Sequence, residues 1–386
     1  MKIDSSRRNF LAAGLALPVA GLASTTAGST SSTLAPPEPP AAAGKLAYRV
    51  LGKTGMKVTT VGYGCMITSD ASVITRAVDM GINYFDTARG YRGGQNERMV
   101  GAALGASRKG IFLSSKSEVK DKEGVLKELD TSLKELGTDY LDVWHLHSKD
   151  TPEAISDELL EAQQIAKQQG KIRFAGVSTH RPPKVLDRVL AAKVDVLQFT
   201  YNFAVDPSSG PAIERLNAAG VGLVAMKVMA GGPRGKNPRA PQMQRPAAAA
   251  AALRWVLKNP IVATTVPSIT DMEQLDQNFG IMADMTFTDA DEKVLAARLE
   301  EIRPYFCCMC GKCDGVCPQG LPVRDMLRYV MYADDYGQFP LGREHFLTLP
   351  AGLQAVRCNQ CSTCAIQCPN GVRVAERLIR AQELFA

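Results

Sequence analysis

Residues 110–147 read GIFLSSKSEVKDKEGVLKELDTSLKELGTDYLDVWHLH. The stretch opens on one apolar run, Gly110–Lys116, and closes on another, Tyr140–His147. Both are apolar nearly throughout, as strands covered on two faces must be. Between them, Lys120–Leu136 repeats its apolar residues at helical spacing. This strand–helix–strand unit recurs along the chain. Val58–Cys65, Ile82–Ala88, Ile172–Ser178, Val194–Asn202, Val221–Met229 and Ala263–Ile269 bring the strand candidates to eight. Segments such as Glu97–Leu104, Pro152–Gln169 and Pro182–Ala192 supply helices between them. Eight units over about 250 residues predict a (β/α)8 barrel across residues 45–303. Ahead of the first strand, Tyr48-Arg49-Val50 and Lys57-Val58 flank a turn with two glycines, which reads as a hairpin closing the barrel floor. A doubly wound open sheet is the rival architecture. No G-x-G-x-x-G follows the first strand, so its fingerprint is missing.

In such a barrel the reactive groups collect at the C-terminal strand ends. The second strand runs into Asp86 and Tyr91, the third ends in Lys116, and the fourth ends His145-Leu146-His147. A free tyrosine, with a pKa of about 10, is a poor acid at neutral pH. A neighbouring lysine cation lowers that value, and an aspartate keeps the lysine charged and oriented. A histidine positions a carbonyl oxygen. One strand-end Lys or Asp is more often a structural ion pair, but four such groups on neighbouring strands are hard to reach by chance. His145 is read as turned away from this group.

Eight of the ten cysteines form one pattern written twice: Cys307, Cys310, Cys313, Cys317-Pro318, and Cys358, Cys361, Cys364, Cys368-Pro369. Each copy is C-x2-C-x2-C-x3-C-P, the bacterial iron–sulfur run, in which the fourth cysteine serves the other cluster. The expected sets are therefore Cys307, Cys310, Cys313 and Cys368 on one [4Fe-4S] centre, and Cys358, Cys361, Cys364 and Cys317 on the second. Zinc and disulfides compete. A third evenly spaced cysteine has no use in a tetrahedral zinc site, and cysteines this close in sequence rarely meet disulfide geometry. Residues 304–386 thus read as a small, mainly helical ferredoxin-like domain, with Leu321–Tyr332 helical and Asp335–Leu341 a loop. Cys308 and Cys65 fall outside the pattern.

At the other end, Arg7-Arg8-Asn9-Phe10-Leu11 precedes a short apolar run to Ala23. This matches a twin-arginine signal over residues 1–27, too short and too rich in Ala and Gly for a stable membrane span. Residues 28–44, rich in Ser, Thr, Ala and Pro, read as a linker. The expectation is export in the folded state by the twin-arginine machinery to a periplasmic or other extracytoplasmic site. The formal charge is +6 over 386 residues. Two four-thiolate clusters, each about −2 when oxidised, offset most of it. The basic excess therefore gives no argument for nucleic acid.

Arg49–Met66 (RVLGKTGMKVTTVGYGCM), Gly81–Gly101 (GINYFDTARGYRGGQNERMVG), Tyr140–His147 (YLDVWHLH) and Gly170–Ser178 (GKIRFAGVS) resemble the aldo-keto reductases over about Tyr48 to Ala283. More narrowly, the chain resembles the bacterial branch in which that barrel carries a ferredoxin-like tail. The resemblance implies a catalytic tetrad of Asp86, Tyr91, Lys116 and His147, with Tyr91 as general acid for carbonyl reduction or base for alcohol oxidation. It also implies NADP or NAD held by Ser178 and Gln198, with Ser268, Gln274 and Asn278 at the adenosine end. The family's Asn beside Ser178 is Thr179 here, and its stacking aromatic is Met226. Lys227, Arg234 or Lys236 could meet a 2′-phosphate. The expected activity is an exported oxidoreductase acting on a small carbonyl or alcohol, with its clusters serving a redox partner protein. The rival reading is an electron-transfer protein whose barrel only docks or binds a ligand. Nicotinamide moves two electrons as hydride while each cluster carries one, and no flavin motif is visible to convert between them.

Overall fold

The computed structural model describes residues 45–231, 246–361 and 363–386. The expected export signal, the linker, Arg234 and Lys236 lie outside these. Strands β1 (Tyr48–Val50) and β2 (Lys57–Thr59) pair antiparallel, with Tyr48 opposite Thr59. Gly55 completes their connection at φ +72°, a conformation that disfavours any side chain. Eight further strands follow: β3 (Tyr63–Gly64), β4 (Tyr84–Asp86), β5 (Phe112–Ser117), β6 (Leu141–Leu146), β7 (Ile172–Thr179), β8 (Val196–Thr200), β9 (Gly222–Met226) and β10 (Thr264–Thr265). They form one parallel sheet in chain order. Bridges from Val61 to Thr265 and from Gly64 to Ser268 join its two edges and close the barrel.

Strand residues two apart share a face. Tyr84, Val143, Val196 and Val224 therefore form one inward set, and they meet Leu51, Met56 and Val58 of the hairpin. That cluster fills the barrel floor. The alternate set, including Phe85, Leu113, Trp144, Val177 and Leu197, packs beneath the helices. Each such buried side chain contributes about 1.5–3 kcal/mol relative to exposure.

The helices of the barrel are α1 (Ala71–Asp79), α2 (Gln95–Leu104), α3 (Lys122–Leu136), α4 (Asp157–Gln168), α5 (Pro182–Ala191), α6 (Ser209–Ala218), α7 (Pro246–Leu257), α8 (Met272–Gly280) and α9 (Asp289–Ile302). In α3, Val125, Leu129, Leu133 and Leu136 bury one stripe. The helices expected from 120 and 152 start later, at Lys122 and Asp157. Asp121 and Ser156 cap them, accepting from Gly124 N at 2.7 Å and from Leu159 N at 3.3 Å. The expected strand Val58–Cys65 splits, because Val58 stays with the hairpin. The eighth strand shortens to β10, with Ser268 keeping a single bridge.

Beyond α9 come the first cysteine run, α10 (Val323–Asp334), α11 (Phe339–Leu347), α12 (Ala351–Ala355), the second run and α13 (Val374–Phe385). Met326, Val330, Phe346, Leu378 and Phe385 make a separate core, against which Cys307, Cys313, Cys317, Cys358, Cys364 and Cys368 pack. The loop expected at 335–341 is shorter than predicted. Gly337 turns the chain at φ +62°, and α11 begins at Phe339. Pro340 sits in its first turn, where a missing N–H breaks no intrahelical bond. Ion pairs tie this region to the barrel: Arg328 Nη1 donates to Asp150 Oδ2 at 3.0 Å, and Arg181 Nη1 to Asp314 Oδ2 at 3.1 Å. Among the described residues no helix is long and apolar enough to cross a membrane.

Candidate active site

Parallel pairing sets Asp86 of β4 opposite Ser114 of β5, two residues before Lys116. All three side chains point inward. Lys116 Nζ donates to Asp86 Oδ2 at 2.6 Å and to Thr87 O at 2.7 Å, while Ser114 Oγ donates to Asp86 Oδ1 at 2.6 Å. Tyr91 follows β4 on a tight turn, and Lys116 Nζ lies 5.2 Å from its ring centroid. The His147 ring stands edge-on to Tyr91, with centroids 5.9 Å apart and planes at 79°. The four strand-end groups thus surround one point at the barrel mouth.

The electrostatics differ from expectation in one respect. Burial pushes the Tyr91 hydroxyl well above its ordinary range, and the Asp86 charge adds to this. The Lys116 ammonium is itself paired with Asp86 at 2.6 Å. Tyr91 is therefore held as the protonated phenol, the form a general acid needs. Burial, with Lys116 beside it, drives the His147 imidazole well below its usual pKa, so the ring is neutral.

Glu118 completes the group. Its Oε1 lies 3.1 Å from His147 Nδ1, and its Oε2 lies 4.0 Å from His345 Nε2 on α11. Burial raises the Glu118 carboxyl, against the pull of Arg328 and Lys149. Its only signal in the sequence is its place two residues beyond Lys116, hence on the same inward face. The same rule corrects His145. It lies two residues before His147, so it shares the inward face and is not turned away. It sits fully buried against Gly176, where an added Cβ would clash with His145 Nδ1. Burial, then the nearby Lys116 charge, lowers its pKa to about 3.

Asp86, Tyr91, Glu118 and His147 line a cavity of about 160 Å³, with Lys116 and His145 buried behind them. Gln198 and Met226 face it from the barrel wall, and Pro267 and Ser268 from the loop after β10. Gln198 is fully buried, and among the described residues neither its Oε1 nor its Nε2 has a partner. A buried carboxamide with both ends unmet is costly, and it fits a ligand amide such as that of nicotinamide. Ser178 Oγ accepts from Ser148 N at 2.9 Å, and Thr179 Oγ1 donates to Asp150 Oδ1 at 3.1 Å. Gln274 and Asn278 do not line the cavity. Gln274 Nε2 bonds Thr270 Oγ1 and Asp271 Oδ2 at the start of α8, and Asn278 is buried on that helix. Lys227 does line the cavity, but its Nζ lies over the rings of Tyr332 and Tyr336, at 5.0 and 4.8 Å. From the C-terminal region, Tyr332, Tyr336, Leu341, Glu344, His345 and Thr348 form the opposite wall.

Thiols of the two runs neighbour one another in two sets, although among the described residues no three lie close enough to grip a single metal ion. Burial pushes the Cys313 thiol up, with Asp314, Cys310 and Cys368 adding to it. Burial does the same for Cys358, with Cys317, Cys361 and Cys364 as its thiol neighbours. Each set thus includes one cysteine from the other run. Backbone and side-chain N–H groups already point at sulfur: Met309 N donates to Cys307 at 3.4 Å, and Gln382 Nε2 to Cys358 at 3.4 Å. Cys308, outside the spacing pattern, neighbours Cys307 and Cys310 and accepts from Asn370 Nδ2 at 3.0 Å.

Residues 66–249 match the model of the Aldo/keto reductase family, and residues 306–372 match that of the 4Fe-4S dicluster domain. The chain carries an aldo/keto reductase domain followed by a 4Fe-4S domain, and is an oxidoreductase. It is similar to L-galactose dehydrogenase of Arabidopsis thaliana, 29% identical over 298 residues, covering 65% of this chain and 93% of the relative. It is also similar to L-glyceraldehyde 3-phosphate reductase of Escherichia coli K12, 25% identical over 316 residues, covering 64% and 90%. In fold it resembles the holo form of an aldo-keto reductase from Bacillus halodurans, with a TM-score of 0.57 at 24% identity over 66% of this chain and 96% of that one.

Proposed function

We propose that the protein interconverts a small carbonyl and its alcohol at Tyr91, using a nicotinamide nucleotide. The observation that carries this is the unpartnered Gln198 carboxamide, buried in the cavity that Tyr91 and His147 also line. Gln198 would hold the carboxamide of a reduced nicotinamide, which would supply the hydride for the carbonyl carbon. Tyr91 Oη gives its proton to the carbonyl oxygen, and neutral His147 orients that oxygen. Lys116 and Asp86 hold the phenol's surroundings rigid and dry. Ser178 and Ser268 are the further nucleotide contacts in this reading. We place two [4Fe-4S] clusters on the eight cysteines and assign them to electron exchange with a partner protein. The twin-arginine pattern supports export of the loaded protein to the periplasm.

One observation favours the electron-carrier alternative. Thr179 stands where the family has a nucleotide-binding Asn, and its hydroxyl is held by Asp150. Anaerobic titration with NADPH and NADH separates the two readings, and Tyr91→Phe tests the chemistry. With NADPH and a carbonyl that the wild type reduces, Tyr91→Phe is expected to lower kcat about 100- to 10,000-fold while nucleotide affinity holds. Full turnover by Tyr91→Phe would remove the phenol from the mechanism. Cluster reduction by a protein donor alone, with no nucleotide bound, would favour the carrier.

A further inference from the structure

We propose that Lys227, framed by Tyr332 and Tyr336, recognises an anionic group, a carboxylate or a phosphate, on the substrate whose reacting carbon lies at Tyr91. This rests on the carbonyl–alcohol reading above and names its substrate class. Lys227 follows β9 with φ +56°, a left-handed conformation that costs a residue bearing Cβ roughly 1–2 kcal/mol. Asn202 Nδ2 fixes it there, donating to Lys227 O at 2.9 Å. Held strain of this kind clusters at ligand clamps.

The two tyrosine rings stabilise a cation but take up none of its three N–H donors in ordinary hydrogen bonds. Among the described residues, no carboxylate lies within ion-pair distance of Lys227 Nζ. Three acids of this region have partners of their own or a raised pKa. Asp150 accepts from Thr179, His180 N and Arg328. Glu118 faces His147 and His345. Burial raises the Asp335 carboxyl to about 7. Burial, then Arg328, lowers the Lys227 ammonium to about 7, and a bound anion would supply the counter-charge the fold withholds. Lys227, Tyr332 and Tyr336 share their cavity with Tyr91, His147 and Gln198. One substrate can therefore span both ends. The barrel provides the ammonium and the 4Fe-4S domain provides the aromatic frame.

The test uses the full chain with its clusters, NADPH, and two probes: 4-carboxybenzaldehyde and its methyl ester. The wild type is expected to prefer the acid in kcat/KM, and Lys227→Met to lower that acid-over-ester preference about 10- to 100-fold. Calorimetry of 4-carboxybenzaldehyde without nucleotide should show the same weakening, whether or not turnover occurs. Equal loss on both probes, or no change in preference, overturns the proposal. Loss confined to NADPH affinity overturns it too, and gives Lys227 to the nucleotide's phosphates. If the wild type reduces neither probe, the reductase reading is left to the Tyr91→Phe test above. Calorimetry then decides the anion site alone: Lys227-dependent binding of the acid sustains it, and no such binding ends it.

Discussion

Asp86 and Lys116 form an ion pair almost out of reach of water, at 4% and 1% exposure. Removing two charges from water costs several kcal/mol per ion, and their attraction repays this only with good geometry and further bonds. Ser114 and the Thr87 carbonyl supply those bonds. Asp86→Asn leaves the ammonium without its counter-charge and should destabilise the protein by about 3–5 kcal/mol in urea unfolding. The double change Asp86→Leu with Lys116→Met should recover most of that loss while leaving no turnover. A single Asp86→Asn protein within 1 kcal/mol of wild type would show that water reaches the site. The convergence of Asp86, Tyr91, Lys116 and His147 was legible in the sequence, since each stands at or shortly beyond a strand end. Their electrostatics were not. The sign of the Tyr91 shift depends on burial and on the Asp86 charge beside it, and neither is a property of spacing. His145 and Glu118 were legible in principle by the two-residue rule, which places both on the inward face.

Element boundaries followed side chains that neighbour the helices in sequence. Asp121 and Ser156 set the starts of α3 and α4, where a count of apolar residues alone reached too far. The seating of α10 on the barrel was beyond such signals, because its partner groups lie far away in sequence. Asp150, between β6 and α4, accepts from His180 N at 2.7 Å and from Arg328 of α10. Burial would raise this carboxyl, but His180 and Arg328 outweigh it and hold it well below the usual range. The His180 imidazole is itself lowered to about 4, chiefly by burial, with Arg328 adding to it against the pull of Asp150. The native ring therefore stays neutral while the unfolded ring, with a pKa of about 6.5, takes a proton. Stability falls as pH drops from about 6.5 towards 4, by roughly 2–3 kcal/mol for this one group by pH 4.5. The Asp150 contribution is lost only below about pH 4, so it lies outside that window. His180→Asn should lose correspondingly less between pH 7 and 4.5 in urea unfolding. An identical pH slope in the variant would mean that the native ring takes up the proton.

Across the whole molecule, the barrel and the 4Fe-4S domain each announced themselves by short-range pattern: the βα repeat in one, the doubled cysteine run in the other. Their joint cavity did not, since Tyr332, Tyr336 and His345 meet Tyr91 and His147 only through folding. The crossing of cysteines between runs is a third long-range feature. Cys317, from the first run, neighbours Cys358 of the second, and Cys368 neighbours Cys313. Reconstituted protein should bind about eight irons per chain, as two four-iron centres require. Cys358→Ser should alter one of two signals in electron paramagnetic resonance of the reduced protein. Cys317→Ser should alter that same signal, while Cys310→Ser and Cys368→Ser alter the other. Were each run to serve its own centre, Cys317→Ser would perturb the signal that responds to Cys310→Ser. The pairing by sequence neighbourhood would then replace the pairing by proximity.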